Sequence, residues 1–271
     1  MDCRVNLPIP LLSLTDVRVR LGAQHFGPFN FSMTAGEQIA ILGPSGAGKS
    51  TLLKVLAREL PYERGDALLN KRVLSDWRVA ELSRCRAVLP QSHEVAFGLP
   101  TDLVIGLGRV ARMHDPKLSD IVLLAAELAC ASHLLGRRFD SLSGGEKARV
   151  QLARVFAQLW DAEQGMVLVD EPLAALDPGL QFQLMDAIEE FAAERGHAVL
   201  AVLHDINHAL LGFERLLLIK GGQLIGDLPS NAEAIPHLES LYDVTLGTAV
   251  CTTGEMLVSP VRGRRAMGAL A

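Results

Sequence analysis

Apolar and polar positions alternate in part over residues 12–20, which predicts a half-buried strand, and residues 29–33 read as a second. Residues 38–42 form a short apolar run that stops at glycine, the pattern of a strand buried on both faces. Residues 49–60 read as a helix, and 67–69 and 86–89 as further strands. From 101 to 138 the chain is helical in tone. Thr101 and Ser119 stand where N-caps are wanted, and 121–135 is rich in Leu and Ala, so this stretch is expected to be a helical insertion. Strand–helix alternation then returns: a strand over 166–170, a helix over 178–195 and a strand over 198–203. Residues 215–220 and 223–227 flank Gly221-Gly222, a hairpin signal. Strands alternating with helices imply an α/β fold with a mainly parallel sheet covered on both faces. The segment after Thr248 is mixed and carries Arg262, Arg264 and Arg265, so a loosely ordered tail is expected there.

Composition narrows the classes. A length of 271 residues suits one large α/β domain, or a domain with a small subdomain. Hydrophobic residues at 49% against 21% charged mark a globular chain. A mean hydropathy of +0.24 is high, which a large core or apolar surface covered by a partner would explain. The net charge of −5 argues against a dedicated nucleic-acid binder, which needs clustered Lys and Arg. No apolar run is long enough to span a membrane: the best candidates, 121–131 and 199–203, are short, and the first contains Glu127. Asp2 and Arg4 precede no long apolar run, so no signal peptide is expected. Cys3, Cys85, Cys130 and Cys251 lie far apart without metal-ligand spacing and read as reduced thiols.

Gly43-Pro44-Ser45-Gly46-Ala47-Gly48-Lys49-Ser50, followed by Thr51, fits G-x-x-x-x-G-K-[ST], with a predicted strand before it and a predicted helix after it. Glycines permit positive φ and close backbone approach. The loop amides then form an anion nest at a helix N-terminus. Lys49 supplies positive charge to the β- and γ-phosphates, and the Ser50 hydroxyl is a hard oxygen suited to Mg2+. The motif predicts an NTPase without saying which kind.

The apolar run at 166–169 ends in Asp170-Glu171. A parallel strand puts that end beside the phosphate loop, where Asp170 would hold Mg2+ and Glu171 would polarise the attacking water as general base. Upstream, Leu142-Ser143-Gly144-Gly145-Glu146 opens a helix with a small-residue turn, a second place for an anion.

At these residues the chain resembles the ABC (ATP-binding cassette) ATPase family, over about residues 11–245. Residues 142–146 look like its signature motif, Ala174-Ala175-Leu176-Asp177 like its D-loop, Gln91 like its Q-loop glutamine and His204 like its switch histidine. The resemblance implies a P-loop NTPase (RecA-like) core with an antiparallel β subdomain and a helical subdomain at about 92–158. The ATPase domain would cover 11–248 and a C-terminal tail 249–271. It implies that ATP and Mg2+ are bound, with Ser50, Gln91 and Asp170 on the metal and Glu171, His204 and Gln91 in catalysis. It further implies a head-to-tail homodimer in which each ATP lies between residues 43–51 of one copy and Ser143, Gly144, Gly145 and Glu146 of the other. Two departures stand out. The family's adenine-stacking aromatic is missing, since Arg20-Leu21-Gly22 fills that region and Phe26 comes later, which makes loose base selectivity the expectation. Leu173 stands where Thr or Ser is common.

A single cassette without a spanning helix is the organisation of importers, whose membrane part is a separate chain. The run from Arg86 to Phe97 and Gly106-Leu107-Gly108-Arg109 are similar to the ATPases of iron-complex and vitamin B12 importers. Within that group Ala87-Val-Leu-Pro-Gln91, with Gln151-Leu-Ala-Arg-Val155 and Leu203-His-Asp-Ile-Asn207, is most similar to haem importer subunits. What this implies is a peripheral protein on the cytoplasmic face of the cell membrane. It would be attached to an integral-membrane permease dimer and, through it, to a periplasmic or surface substrate-binding protein, with no nucleic-acid partner. Cobalamin or a ferric siderophore are the alternative cargoes; export and a non-transport role are the alternative functions. A repair ATPase would separate the phosphate loop from the signature by a coiled coil. A GTPase would carry Asn-Lys-x-Asp, whereas Asn70-Lys71 is followed by Arg72-Val73.

Overall fold

The computed structural model describes residues 9–91, 98–112, 114–171, 176–252 and 254–263. In chain order the strands are β1 (Leu12–Leu21), β2 (Gln24–Met33), β3 (Gln38–Leu42), β4 (Arg64–Leu69), β5 (Arg72–Val73), β6 (Arg86–Leu89), β7 (Met166–Asp170), β8 (Ala198–Val202), β9 (Arg215–Lys220), β10 (Gln223–Pro229), β11 (Val244–Val250) and β12 (Met256–Gly263). The helices are α1 (Lys49–Leu56), α2 (Val79–Leu82), α3 (Thr101–Gly106), α4 (Leu118–Leu128), α5 (Gly144–Leu159), α6 (Pro178–Arg195), α7 (Ile206–Gly212) and α8 (Ile235–Tyr242).

The central sheet runs β10-β9-β3-β8-β7-β6, parallel except at β10. Its inner strands are apolar except at their ends, where Gln38, Asp170, Arg215 and Lys220 stand, because both faces are covered. Alternate side chains go to opposite cores. Ile39 and Ile41 of β3, Leu168 of β7 and Leu200 of β8 join α1 and the antiparallel sheet β2-β1-β4-β5. Ala40, Leu42, Val169 and Ala201 point the other way, into a core shared with α3 to α6. Register sets up the site: Ile41 pairs with Val202, Asp170 with Val202, and Leu89 with Val169. The carboxyl ends of β3, β8, β7 and β6 therefore lie side by side, the edge at which open α/β sheets bind ligands.

The P-loop α/β core, antiparallel sheet and helical block match the expected architecture; several local expectations do not survive. α1 stops at Leu56, four residues short, because Ala57 caps it and Arg58 turns left-handed at φ 59°. Thr101 is not an N-cap. Pro100 occupies that position, and the buried Thr101 hydroxyl instead donates to the Leu134 carbonyl at 2.6 Å, a tertiary partner that outcompetes the local one. Nor is Ser119: α4 starts at Leu118 behind Lys117, whose N–H donates to Asp115. Beyond Thr248 the chain is not loose as far as Gly263, since β11 and β12 pair antiparallel from Val244↔Gly263 to Val250↔Met256. Asn207 of α7 pins that hairpin by exchanging two hydrogen bonds with Val258, at 3.1 and 2.8 Å. Gly106-Leu107-Gly108-Arg109 proves to be a packing device. Gly108 abuts the Arg154 carbonyl. The buried Arg109 guanidinium bonds Asp115, Asp161 and the Ala157 carbonyl.

Candidate nucleotide site

The phosphate loop leaves β3 at Gly43 and enters α1 at Lys49. Gly48 caps that helix at φ 104°, and a Cβ there would stand 2.6 Å from the Phe26 ring. Phe26 is buried, packed beneath the loop against Gly48 and Gly222. The turn at Gly221-Gly222 holds the loop from the same side, for the Gly222 N–H donates to the Ala47 carbonyl at 3.0 Å. Sequence reasoning found that hairpin but not this use of it.

Lys49 is 4% exposed and its ammonium donates to the carbonyls of Gly43 and Pro44 at 2.9 and 3.1 Å. Burial lowers its pKa, against the pull of Glu171 and Asp170. The Ser50 hydroxyl donates to Asp170 Oδ1 at 2.9 Å. Burial raises the Asp170 pKa; the Ser50 bond opposes that shift and neighbouring Glu171 adds to it. Glu171 follows β7 in the left-handed region, φ 47°, where a non-glycine residue is strained by about 1–3 kcal/mol. Its N–H reaches back to the Val202 carbonyl at 3.2 Å. The carboxylate is met by His204 Nε2 at 2.7 Å, Gln91 Nε2 at 3.0 Å and Lys49 Nζ at 3.9 Å. So the ends of β3, β6, β7 and β8 converge on one carboxylate.

Lys49, Ser50, Glu171 and His204 line a cleft of about 380 Å³ that Leu21, Gln24 and Phe26 also border. Leu21 and Gln24 face each other across the β1–β2 turn, with Leu21 40% exposed. An exposed aliphatic contact is thus what Leu21 offers to this cleft.

Ser143, Gly144, Gly145 and Glu146 are not brought to this cleft. They start α5, closed by a capping box in which the Ser143 N–H donates to Glu146 Oε2 at 2.8 Å and the Glu146 N–H to Ser143 Oγ at 3.3 Å. The bond from the Ser143 backbone, with Arg137 at 2.9 Å, holds the Glu146 carboxyl below its ordinary range. Of the D-loop, Ala174 and Ala175 lie outside the described residues, as do residues 92–97. Asp177 caps α6 by accepting from the Leu180 N–H at 3.0 Å.

Mg2+ fits the residues present. Ser50, Asp170 and Gln91 offer hydroxyl, carboxylate and amide oxygens, all hard donors, and a cation would relieve the burial of Asp170. Among the described residues no group of three His, Cys, Asp or Glu side chains can hold a metal alone. Phosphate oxygens would have to complete the shell.

Together these side chains can bind a nucleoside triphosphate and aim water at its terminal phosphate; the class they define is the P-loop ATPase built as an ATP-binding cassette. The ABC transporter family model matches residues 26–174. The hemin import ATP-binding protein HmuV of Pseudomonas aeruginosa is 42% identical, over 79% of this chain and 84% of that protein. The protein of the same name from Nocardia farcinica is 43% identical, over 86% of this chain and 81% of its own length. In solved structures the same fold occurs in a metal-chelate type ABC transporter in an inward-facing conformation, with a TM-score of 0.79, 21% identity, and coverage of 94% of this chain and 98% of that one. It occurs also in an ATP-binding cassette dimer holding ADP and Pi, with a TM-score of 0.71, 22% identity, and coverage of 82% and 99%. The chain belongs to the ABC transporter family, and it is an ATPase of that family.

Proposed function

We propose that this chain energises the import of hemin across the cytoplasmic membrane, working as a head-to-tail homodimer on the cytoplasmic face of a permease dimer served by a substrate-binding protein. The observation that carries the ATPase half of this reading is the convergence of His204, Gln91 and Lys49 on Glu171 in one cleft. The cargo half is supported by the hemin import relatives at 42% and 43% identity. Among the described residues no helix is long and apolar enough to cross a membrane, which suits a subunit whose spanning partner is another chain.

In this reading amides of the loop beyond Pro44 cradle the phosphates, and Lys49 leaves its two carbonyls to meet the β- and γ-phosphates. Ser50, Asp170 and Gln91 would hold Mg2+, which would supply positive charge to offset the charge of the phosphates. Glu171 takes the proton of the attacking water, and His204 moves from Glu171 to the γ-phosphate. Ser143, Gly144, Gly145 and Glu146 of the second copy close the far side, which explains why a cassette's own signature residues stay away from its own cleft.

The test is uptake into proteoliposomes that hold this chain with its co-purified permease. Hemin, cobalamin and a ferric siderophore are offered in turn with their binding proteins, and Glu171→Gln is the inactive control. ATP-dependent entry of hemin alone is the expected result. Entry of another cargo keeps the mechanism and discards hemin. Entry of none discards import.

A further inference from the structure

Gly43, the first residue of the phosphate loop, is held at both backbone groups. Its N–H donates to the Tyr242 hydroxyl at 3.1 Å, and its carbonyl accepts from Lys49 Nζ at 2.9 Å. On a third side a Cβ would run into the Ile219 carbonyl. The residue is therefore clamped between the end of β9 and the end of α8.

Tyr242 is the last residue of α8, after which Asp243 turns the chain at φ 54° with its N–H on the Glu239 carbonyl. Several ties fix its aim. Lys220, next to Ile219 in β9, donates to the Ser240 carbonyl at 2.8 Å and to Asp243 Oδ2 at 3.2 Å. The Leu246 N–H donates to Glu239 Oε1 at 2.7 Å, anchoring the C-terminal hairpin to the same helix. The ring packs half-buried against the larger core, and burial raises the phenol pKa, so the hydroxyl is neutral at working pH. None of the phosphate chemistry described above uses this residue, which lies 199 positions from its partner.

We propose that Tyr242 is a positioning residue for nucleotide binding: its hydroxyl fixes the first peptide of the phosphate loop, and through it the carbonyl against which Lys49 rests and the direction of the amides that follow. The physical reason is pre-organisation. A loop whose amides already converge loses less freedom when phosphate arrives. Without the hydroxyl, the Gly43 N–H loses its partner, and the loop relaxes to find another. The inference rests on the ATPase reading.

The experiment compares the full chain with Tyr242→Phe, which keeps the ring, and Tyr242→Leu, which loses it. KM and kcat for MgATP, thermal midpoint and amide exchange of the loop peptide are measured together. For Tyr242→Phe we expect KM to rise about five- to tenfold with kcat within about twofold, faster exchange at residues 43–48, and a midpoint within about 3 °C of the wild type. Tyr242→Leu should share the KM and exchange changes and melt lower. Wild-type KM and exchange in Tyr242→Phe would overturn the proposal, as would a fall in kcat and midpoint at unchanged KM. A wild-type chain that bound no MgATP would overturn it together with the ATPase reading. Binding by the wild type with Tyr242→Phe unchanged would remove Tyr242 alone.

Discussion

Nε2 of His204 lies 2.7 Å from Oε2 of Glu171. Gln91 donates to that same oxygen, and Lys49 stands 3.9 Å from the other. The oxygen that His204 and Gln91 occupy is not open to water, so nucleotide must draw these partners off before Glu171 can act. Glu171→Gln keeps the shape and one acceptor for His204 but removes the base. Hydrolysis should fall by about 10²–10⁴-fold with ATP affinity little changed. Phosphate release and an ATP titration on the same preparation check this, and unimpaired turnover would remove Glu171 from the mechanism.

Ser143 sits exposed at the start of α5, its hydroxyl accepting from the Glu146 N–H in the local capping box. If it forms the far half of a partner's site, Ser143→Arg should abolish ATP-induced dimerisation of the hydrolysis-deficient Glu171→Gln chain. Losing the cap should lower stability by only about 1 kcal/mol. Light scattering with and without ATP reads the outcome, and dimers of normal strength would contradict the head-to-tail arrangement.

Gly48 combines φ 104° with a ring against its missing Cβ. Phe26 cannot yield cheaply, because it is itself packed against Gly222. Gly48→Ala should therefore cost roughly 2–4 kcal/mol in a denaturant melt and also abolish tight ATP binding, since the distortion falls on the nest. A variant of wild-type stability and affinity would show that the loop is softer than this packing implies.

Most of the site was legible because its parts are local. Residues 43–51 carry their own turn geometry, Asp170-Glu171 ends an apolar run, and Ser143 with Glu146 is a capping box visible at three-residue spacing. The parallel sheet was legible for the same reason, through runs such as 166–169 and 198–202. What escaped depends on distant partners. Thr101 looks like a cap until Leu134 is placed beside its hydroxyl. Phe26 has no evident role until Gly48 and Gly222 close over it. Tyr242 belongs to a weakly patterned segment, and nothing within its own neighbourhood points to Gly43. The hairpin of β11 and β12 was missed because Val250 and Val261 stay exposed, so its strands lack a one-sided apolar alternation.

His197, just before β8, is fully buried against Phe191, and its Nδ1 accepts from the Gly165 N–H at 2.9 Å. Among the described residues the buried Nε2 makes no full hydrogen bond. Burial, with Arg195 nearby adding to it and the Leu159 backbone opposing it, lowers its pKa from 6.5 to about 4. The ring is therefore neutral in the folded protein at any pH above that value, whereas in the unfolded chain it takes up a proton as pH falls below 6.5. The unfolded state then binds more protons, so stability is complete above about pH 6.5 and declines as pH falls towards 4. Below that both states are protonated and this contribution stops changing. The shift corresponds to about 3 kcal/mol lost across the window. His197→Asn keeps an acceptor for Gly165 and does not titrate. Denaturant unfolding at pH 7, 6, 5 and 4 should therefore show a flatter decline for His197→Asn than for the wild type, the difference between the two curves growing to about that value at pH 4. Parallel curves would mean that the imidazole is already protonated, or free to protonate, inside the fold.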